Sequence, residues 1–261
     1  MDEHYEQGIE NPYGSPESLG QLGICKALST LSFFSSSLDL INQATNLSII
    51  DEYITGLEYE YLRSRFADTH TTYQAAFLSA QSQMWIFSAY EVMRTWQAKI
   101  KDYIKASDTG GLNCKLKELQ KPLSYENPTI QRKITELSIL IQKPEVITKL
   151  RHDLKRTQML FTRMELVRVQ LAKHEFRGKP KASTVLPTVG HMNKWCGSLD
   201  FQINRGQSII CNISRRDIAD DIRVIPYLVP PTDEELSSFE SAMRGIGDES
   251  LDNLFGDQSQ I

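Results

Sequence analysis

The chain lacks most of the sequence motifs that identify common enzyme classes. Its 261 residues contain no glycine-rich phosphate loop, no H-E-x-x-H, no G-x-S-x-G and no Cys-x-x-Cys. The four cysteines show neither metal-ligand spacing nor a repeated pattern: Cys25, Cys114, Cys196 and Cys211. We therefore expect free thiols in a reducing compartment, no metal site and no cofactor.

Long apolar runs and a strong charge of one sign are also missing. No apolar segment approaches the roughly 20 residues that span a bilayer, and the polar, acidic N-terminus is unlike a secretory signal. We expect a cytoplasmic protein with no membrane association. The net charge of -4 and the pI of about 5.8 do not indicate a generic polyanion binder.

The charge is unevenly distributed along the chain. Residues 232–261 contain eight acidic residues and one basic residue, a net charge of -7, which leaves +3 for the remaining 231 residues. Few apolar residues accompany these acids, so the pattern predicts an acidic disordered tail that is able to fold on a partner. The mildly basic remainder is compatible with a nucleic-acid partner.

Helical periodicity dominates the centre of the chain. After a flexible segment over residues 1–24, the pattern predicts a mainly α helical bundle over residues 25–178. Asn127 and Pro128 form an N-cap and first-turn signal. The expected helices are a short one within Ala27–Leu40, then Leu47–Ser64, Thr72–Lys105, a helix from Pro128, and one from Pro144 to about Phe176.

A different pattern follows in residues 179–231. After a connector, Leu199–Ile203 and Ser208–Ile213 alternate as a β-hairpin around a turn at 204–206. Ser214 and Asp217 then form a capping-box variant that begins a short helix. Its Arg215 and Arg216 are candidate phosphate ligands, and the alternative is simple capping with solvated arginines.

The segment Arg168–His174 carries the main candidate site. At about 100° per residue, Leu171 lies at the centre of an apolar stripe, with Arg168 about 60° to one side and His174 about 60° to the other. A guanidinium at such a border needs a partner, because its desolvation is costly. Glu165, three residues earlier, is one surface partner that would explain Arg168 without a functional site.

A long-helix bundle whose later helix carries R-x5-H resembles the HEPN superfamily, which has an R-x4-6-H motif. The resemblance covers roughly residues 45–178 and implies a HEPN-like up-and-down bundle, an RNA-directed protein and a homodimer in which two motifs meet. It implies a metal-independent endoribonuclease, of a kind found in bacterial toxin and phage-defence systems, with Arg168 and His174 as catalytic residues. Lys173 would steer the RNA backbone.

Two alternatives remain open. Arg65, or Arg63, with His70 also satisfies the motif spacing, although a solvated turn is the ordinary explanation at that charged helix end. In addition, Val169 stands where active HEPN members often have a polar residue. A non-catalytic interaction protein is therefore the alternative function, with an inhibitory or recruiting protein partner bound through the bundle surface or the acidic tail.

Overall fold

The computed structural model describes residues 11–121, 127–172, 183–186, 191–205 and 208–244. Over these ranges the chain is mainly helical, with one small antiparallel sheet. The helices are α1 (Gly23–Leu28), α2 (Leu38–Phe66), α3 (Thr72–Asp108), α4 (Leu112–Leu119), α5 (Pro128–Gln142), α6 (Glu145–Arg156), α7 (Gln158–Ala172), α8 (Arg215–Arg223) and α9 (Asp233–Arg244). This confirms the coarse prediction of a mainly α protein.

The two longest helices form the centre of the fold. Helix α3 begins at a capping box in which the Thr71 side chain and Gln74 satisfy each other's backbone N–H groups. Trp85 and Trp96 are fully buried, and their indole N–H groups donate to the carbonyl oxygens of Leu47 and Ser32, each at 3.0 Å. Large aromatic area is thereby buried without leaving a donor unpaired.

The predicted N-cap at Asn127 is confirmed, because its side chain accepts from the N–H groups of Thr129 and Ile130. The single helix predicted from Pro144 to Phe176 is wrong. A turn at Thr157 divides it into α6 and α7, and the Thr157 hydroxyl donates back to the carbonyl oxygen of Asp153. Such local bonding by a threonine competes with regular helix geometry.

The C-terminal hairpin is confirmed. Strands β2 (Asp200–Arg205) and β3 (Ser208–Ser214) pair antiparallel, with Phe201 opposite Ile213. Asn204 and Arg205 belong to β2 rather than to the turn, and Gly206 lies outside the described residues. The expected connector contains a third strand, β1 (Ser183–Leu186), which pairs with β2 and gives the order β1-β2-β3.

Four further expectations need correction. Helix α2 begins nine residues before Leu47, and α4 lies between Lys105 and Pro128, where no helix is predicted from the sequence. Helix α9 lies inside the predicted disordered tail. Residues 11–24 of the predicted flexible segment are in contact with the body, since the Tyr13 hydroxyl donates to Asp217 at 2.8 Å. Within the described ranges, no helix combines the length and apolarity that crossing a bilayer requires.

Candidate functional site

Arg168 lies at the border of the buried face of α7. The predicted apolar stripe is confirmed, because its members are almost completely buried: Leu160, Met164, Val167 and Leu171. The side chain of Arg168 retains 40% exposure. It therefore occupies a boundary position rather than an enclosed pocket between helices.

The guanidinium of Arg168 faces helix α3. Its central carbon lies 5.2 Å from the centre of the Tyr90 ring, and one nitrogen lies 3.8 Å from a carboxylate oxygen of Glu91. The alternative partner Glu165 instead accepts from the Tyr90 hydroxyl at 3.3 Å. Burial, with Glu165 nearby, raises the pKa of Tyr90.

Glu91 has a closer partner than Arg168. Arg94 binds the other Glu91 oxygen at 2.6 Å on the same face of α3. We refer to Tyr90, Glu91, Arg94, Glu165 and Arg168 as the α3–α7 polar cluster. The 3.8 Å separation is beyond hydrogen-bond distance, so Arg168 keeps donors that can bind an incoming phosphate.

His174 and Lys173 lie outside the described residues, which end at Ala172 on this helix. The described part of α7 places only Arg168 of the predicted pair. A site that combines Arg168 with His174 therefore stays a prediction, as does the steering role of Lys173.

The structure brings the second motif match into contact. A guanidinium nitrogen of Arg65 and Nε2 of His70 are within hydrogen-bond distance where α2 ends, and Asp68 approaches the other ring nitrogen at 4.0 Å. The His70 ring also contacts Tyr61 edge-on. Arg63 is exposed. This group lies about 28 Å along α3 from Glu91, so it is separate from the α3–α7 polar cluster.

Arg215 and Arg216 cannot bind RNA phosphate in this structure. The predicted capping box of Ser214 and Asp217 is confirmed, but both arginine side chains are fully buried rather than solvated. Arg216 donates to Asp220 at 2.9 Å and to the carbonyl oxygen of Gly14 at 2.7 Å. Neither guanidinium faces solvent, so the prediction that they contact phosphate is wrong.

Arg215 is the centre of a buried ionic cluster between α8 and α2. Its guanidinium binds the carboxylates of Asp51 and Glu58, donates to the Thr55 hydroxyl at 3.1 Å and lies over the Trp85 ring. Burial alone would lower the pKa of Arg215, but the two carboxylates raise it above its usual value. We call Asp51, Glu58 and Arg215 the buried ionic cluster.

Sequence reasoning missed this cluster, although a signal was present. Leu47, Asp51, Ile54, Glu58 and Tyr61 follow each other at spacings of three and four residues on one face of α2. Two acids within an apolar stripe indicate a buried cationic partner. The sequence does not say which of the 29 basic residues supplies it.

An apolar groove between α2 and α3 borders the α3–α7 polar cluster. It has a volume of about 520 Å³, and Glu91 is one of its lining residues. Ile50 and Met84, 43% and 64% exposed, lie along it with Phe87. Unpartnered apolar side chains therefore stand directly beside the partner of Arg168.

In comparison with known proteins, no family model, no curated protein and no solved structure matches the chain. Within the described ranges, no group of three histidine, cysteine or acidic side chains is arranged to hold a metal ion.

Proposed function

We propose that the chain is a HEPN-like, RNA-directed protein that cleaves RNA without a metal, as toxin and phage-defence ribonucleases do. The observation that carries the proposal is the placement of Arg168. It is a half-exposed guanidinium on the border of a buried stripe, oriented by the Tyr90 ring and only loosely paired with Glu91. An arginine held in position but not saturated is suited to grip a phosphate.

The proposed chemistry divides two tasks between two residues. Arg168 holds the scissile phosphate and stabilises the negative charge that develops on it. His174, whose type titrates near neutrality, takes the proton of the attacking 2′-hydroxyl or returns one to the leaving 5′-oxygen. Lys173 attracts the RNA backbone. No metal or cofactor takes part in this scheme.

The proposed active form is a homodimer built on the α2–α3 groove. A second copy packed there would cover Ile50 and Met84, and it would approach the α3–α7 polar cluster through Glu91. Burial of exposed apolar area is the main favourable term in such an association. Two Arg168 side chains would then lie near one interface, as the HEPN resemblance implies.

The test of catalysis compares wild type, Arg168→Ala and His174→Ala on total RNA in the presence of EDTA. General acid–base groups contribute roughly 10²- to 10⁴-fold and groups that stabilise transition-state charge roughly 10²- to 10³-fold, so each variant should lose at least about 100-fold in rate. His152→Ala is the matched control, since His152 is an exposed histidine on α6. Equal cleavage by wild type and His174→Ala would contradict the proposal.

Two further variants make the assignment specific. His70→Ala should leave cleavage unchanged, because His70 belongs to the separate Arg65 group. Met84→Glu should convert a dimer to a monomer in light scattering and reduce cleavage, because a carboxylate would be buried in the apolar interface. A strictly monomeric wild type would contradict the dimeric site.

The second candidate function is a non-catalytic interaction protein that binds an inhibitory or recruiting partner. Exposed apolar side chains between α8 and α9 favour it, since Tyr227 and Val229 are more than 80% exposed and Val224 is 43% exposed. Deleting residues 232–261 or changing Tyr227→Ser should then abolish partner capture while Arg168→Ala preserves it. The opposite result would favour the site at Arg168.

A further inference from the structure

A basic groove lies between helices α3 and α6. It has a volume of about 460 Å³, and its cationic lining residues are Lys101, Lys105, Arg151 and Lys155. Lys101 and Lys105 are one helical turn apart on α3, as are Arg151 and Lys155 on α6. Two rows of cations therefore face one groove. Like charges four residues apart destabilise a helix slightly, so a bound anion would stabilise both helices by offsetting this repulsion.

The charge balance separates this groove from the larger cavity beside α4 and α5. That cavity, of about 540 Å³, has four basic and four acidic lining residues, and its Glu136 is already bound by Lys99 and Tyr103. Among the described residues that line the basic groove, Asp108 is the one acid, and it is paired with Arg151. The basic groove thus keeps a net positive charge.

Acidic helix α9 contacts one side of this groove. Asp233 at its first turn binds Lys155 at 2.7 Å, and Glu240 accepts from Gln158 at 3.1 Å. The Lys155 bond lowers the pKa of Asp233. Asp233 remains 93% exposed, and exposed ion pairs are weak and screened by salt. The Asp233 carboxylate is therefore bound to Lys155 in the groove through a contact that another anion can readily replace.

We infer that the basic groove binds the phosphate backbone of single-stranded RNA and that α9 competes with that backbone through Asp233. The inference rests on the proposed RNA-directed function and names the surface along which the RNA lies. Phosphates replace the carboxylate at Lys155 and bind the cations of both helices. Binding in this way depends on charge rather than on base sequence.

The first test measures RNA binding by fluorescence anisotropy with a short labelled polyuridine strand over a range of salt concentrations. All variants carry His174→Ala, so that cleavage does not interfere. Removing Lys101 and Lys105 together, as alanines, should weaken binding at low salt. Log affinity falls with log salt concentration, and the double substitution should reduce the magnitude of this slope by about 1.4. Each phosphate contact to a single strand that is lost reduces it by about 0.7.

Lys26→Ala is the matched control, since Lys26 is an exposed lysine on α1 that does not line the groove. It should keep the wild-type slope. A K101A/K105A protein with the wild-type affinity and slope would overturn the inference. Circular dichroism should show that the fold of both variants is unchanged, because the substituted side chains are exposed.

The second test addresses α9. Asp233→Asn should strengthen polyuridine binding by roughly two- to fivefold, the range that an exposed ion pair supplies. Asp233→Lys should strengthen it further, because it adds repulsion at Lys155 and attraction for phosphate. Glu234→Gln is the control, since Glu234 is a neighbouring exposed acid. Unchanged or weaker binding by Asp233→Lys would overturn the role of α9.

These results are separable from the test of the proposed function. Binding that depends on Lys101 and Lys105 without any cleavage would support the groove and reject the enzyme. Cleavage that depends on His174, together with polyuridine binding that is unchanged when Lys101 and Lys105 are removed, would support the enzyme and reject this RNA path.

Discussion

Two arginines of the same chain, Arg215 and Arg168, have opposite environments. Arg215 is completely buried and binds two carboxylates, whereas Arg168 is 40% exposed and lies 3.8 Å from its one acidic partner on α3. A buried guanidinium must be paired almost completely, because its desolvation is costly and it cannot lose its proton. The comparison indicates that the saturated arginine serves the fold and the unsaturated one is available to a ligand.

The largest effect is expected from removing one partner of the buried ionic cluster. Glu58→Gln should lower the free energy of unfolding by about 3–5 kcal/mol, because it leaves Arg215 buried with less compensating charge. Urea denaturation followed by circular dichroism measures this. The double variant Glu58→Leu with Arg215→Met should lose less than the sum of the single variants, and simple additivity would contradict a coupled cluster.

A close approach of backbone to this cluster should have the next largest effect. Gly197 has φ of +77°, and a Cβ there would overlap the carbonyl oxygen of Glu58. Gly197→Ala should therefore lower the free energy of unfolding by more than backbone strain alone would, which accounts for about 1–3 kcal/mol. Gly20→Ala separates the two causes, since Gly20 has φ of +66° and open space around it. Equal losses in thermal or urea unfolding would reject the steric contribution.

A pH effect is expected beside the N-terminus of α8. Burial and the nearby Asp217 raise the pKa of Asp200 to about 6. Because the folded-state pKa is above the ordinary value near 3.8, the stability that protonated Asp200 provides is lost as pH rises through about 6. Asp200→Asn should therefore be more stable than wild type at pH 7–8.

The difference in stability between Asp200→Asn and wild type should shrink as pH falls from 7 toward 4, where wild type becomes protonated. Unfolding free energies from urea titrations across this range measure it. Asp39→Asn, which replaces an exposed acid in the first turn of α2, is the control for the general effect of removing an acid. A difference that is constant with pH would contradict the raised pKa.

The smallest stability effect is expected at the other arginine. Arg168→Ala should change the free energy of unfolding by at most about 1 kcal/mol, because its ion pair is long and partly exposed. The same variant should abolish most of the proposed cleavage. A stability loss comparable to that of Glu58→Gln, measured in the same urea titration, would show that both arginines are structural.

Much of the local structure could be predicted from neighbouring residues. The N-cap at Asn127, the capping box of Ser214 and Asp217, and the buried stripe through Met164 depend on spacings of two to four residues. The boundary between α6 and α7 could not, since a threonine such as Thr157 is by itself compatible with a helix. Strand β1 likewise exists through pairing with β2.

The candidate site likewise has features that local sequence predicts and features that depend on tertiary contacts. The position of Arg168 at the border of a buried stripe follows from the order of the residues, because helical geometry sets the angles between them. That Arg168 stays accessible while Arg215 is enclosed depends on contacts between helices that are distant in the chain. The partners of Arg215 on α2 are 164 and 157 residues away in the chain, so a local pattern at Ser214–Asp217 carries no information about them. Burial of a charge is determined by what the fold brings to it.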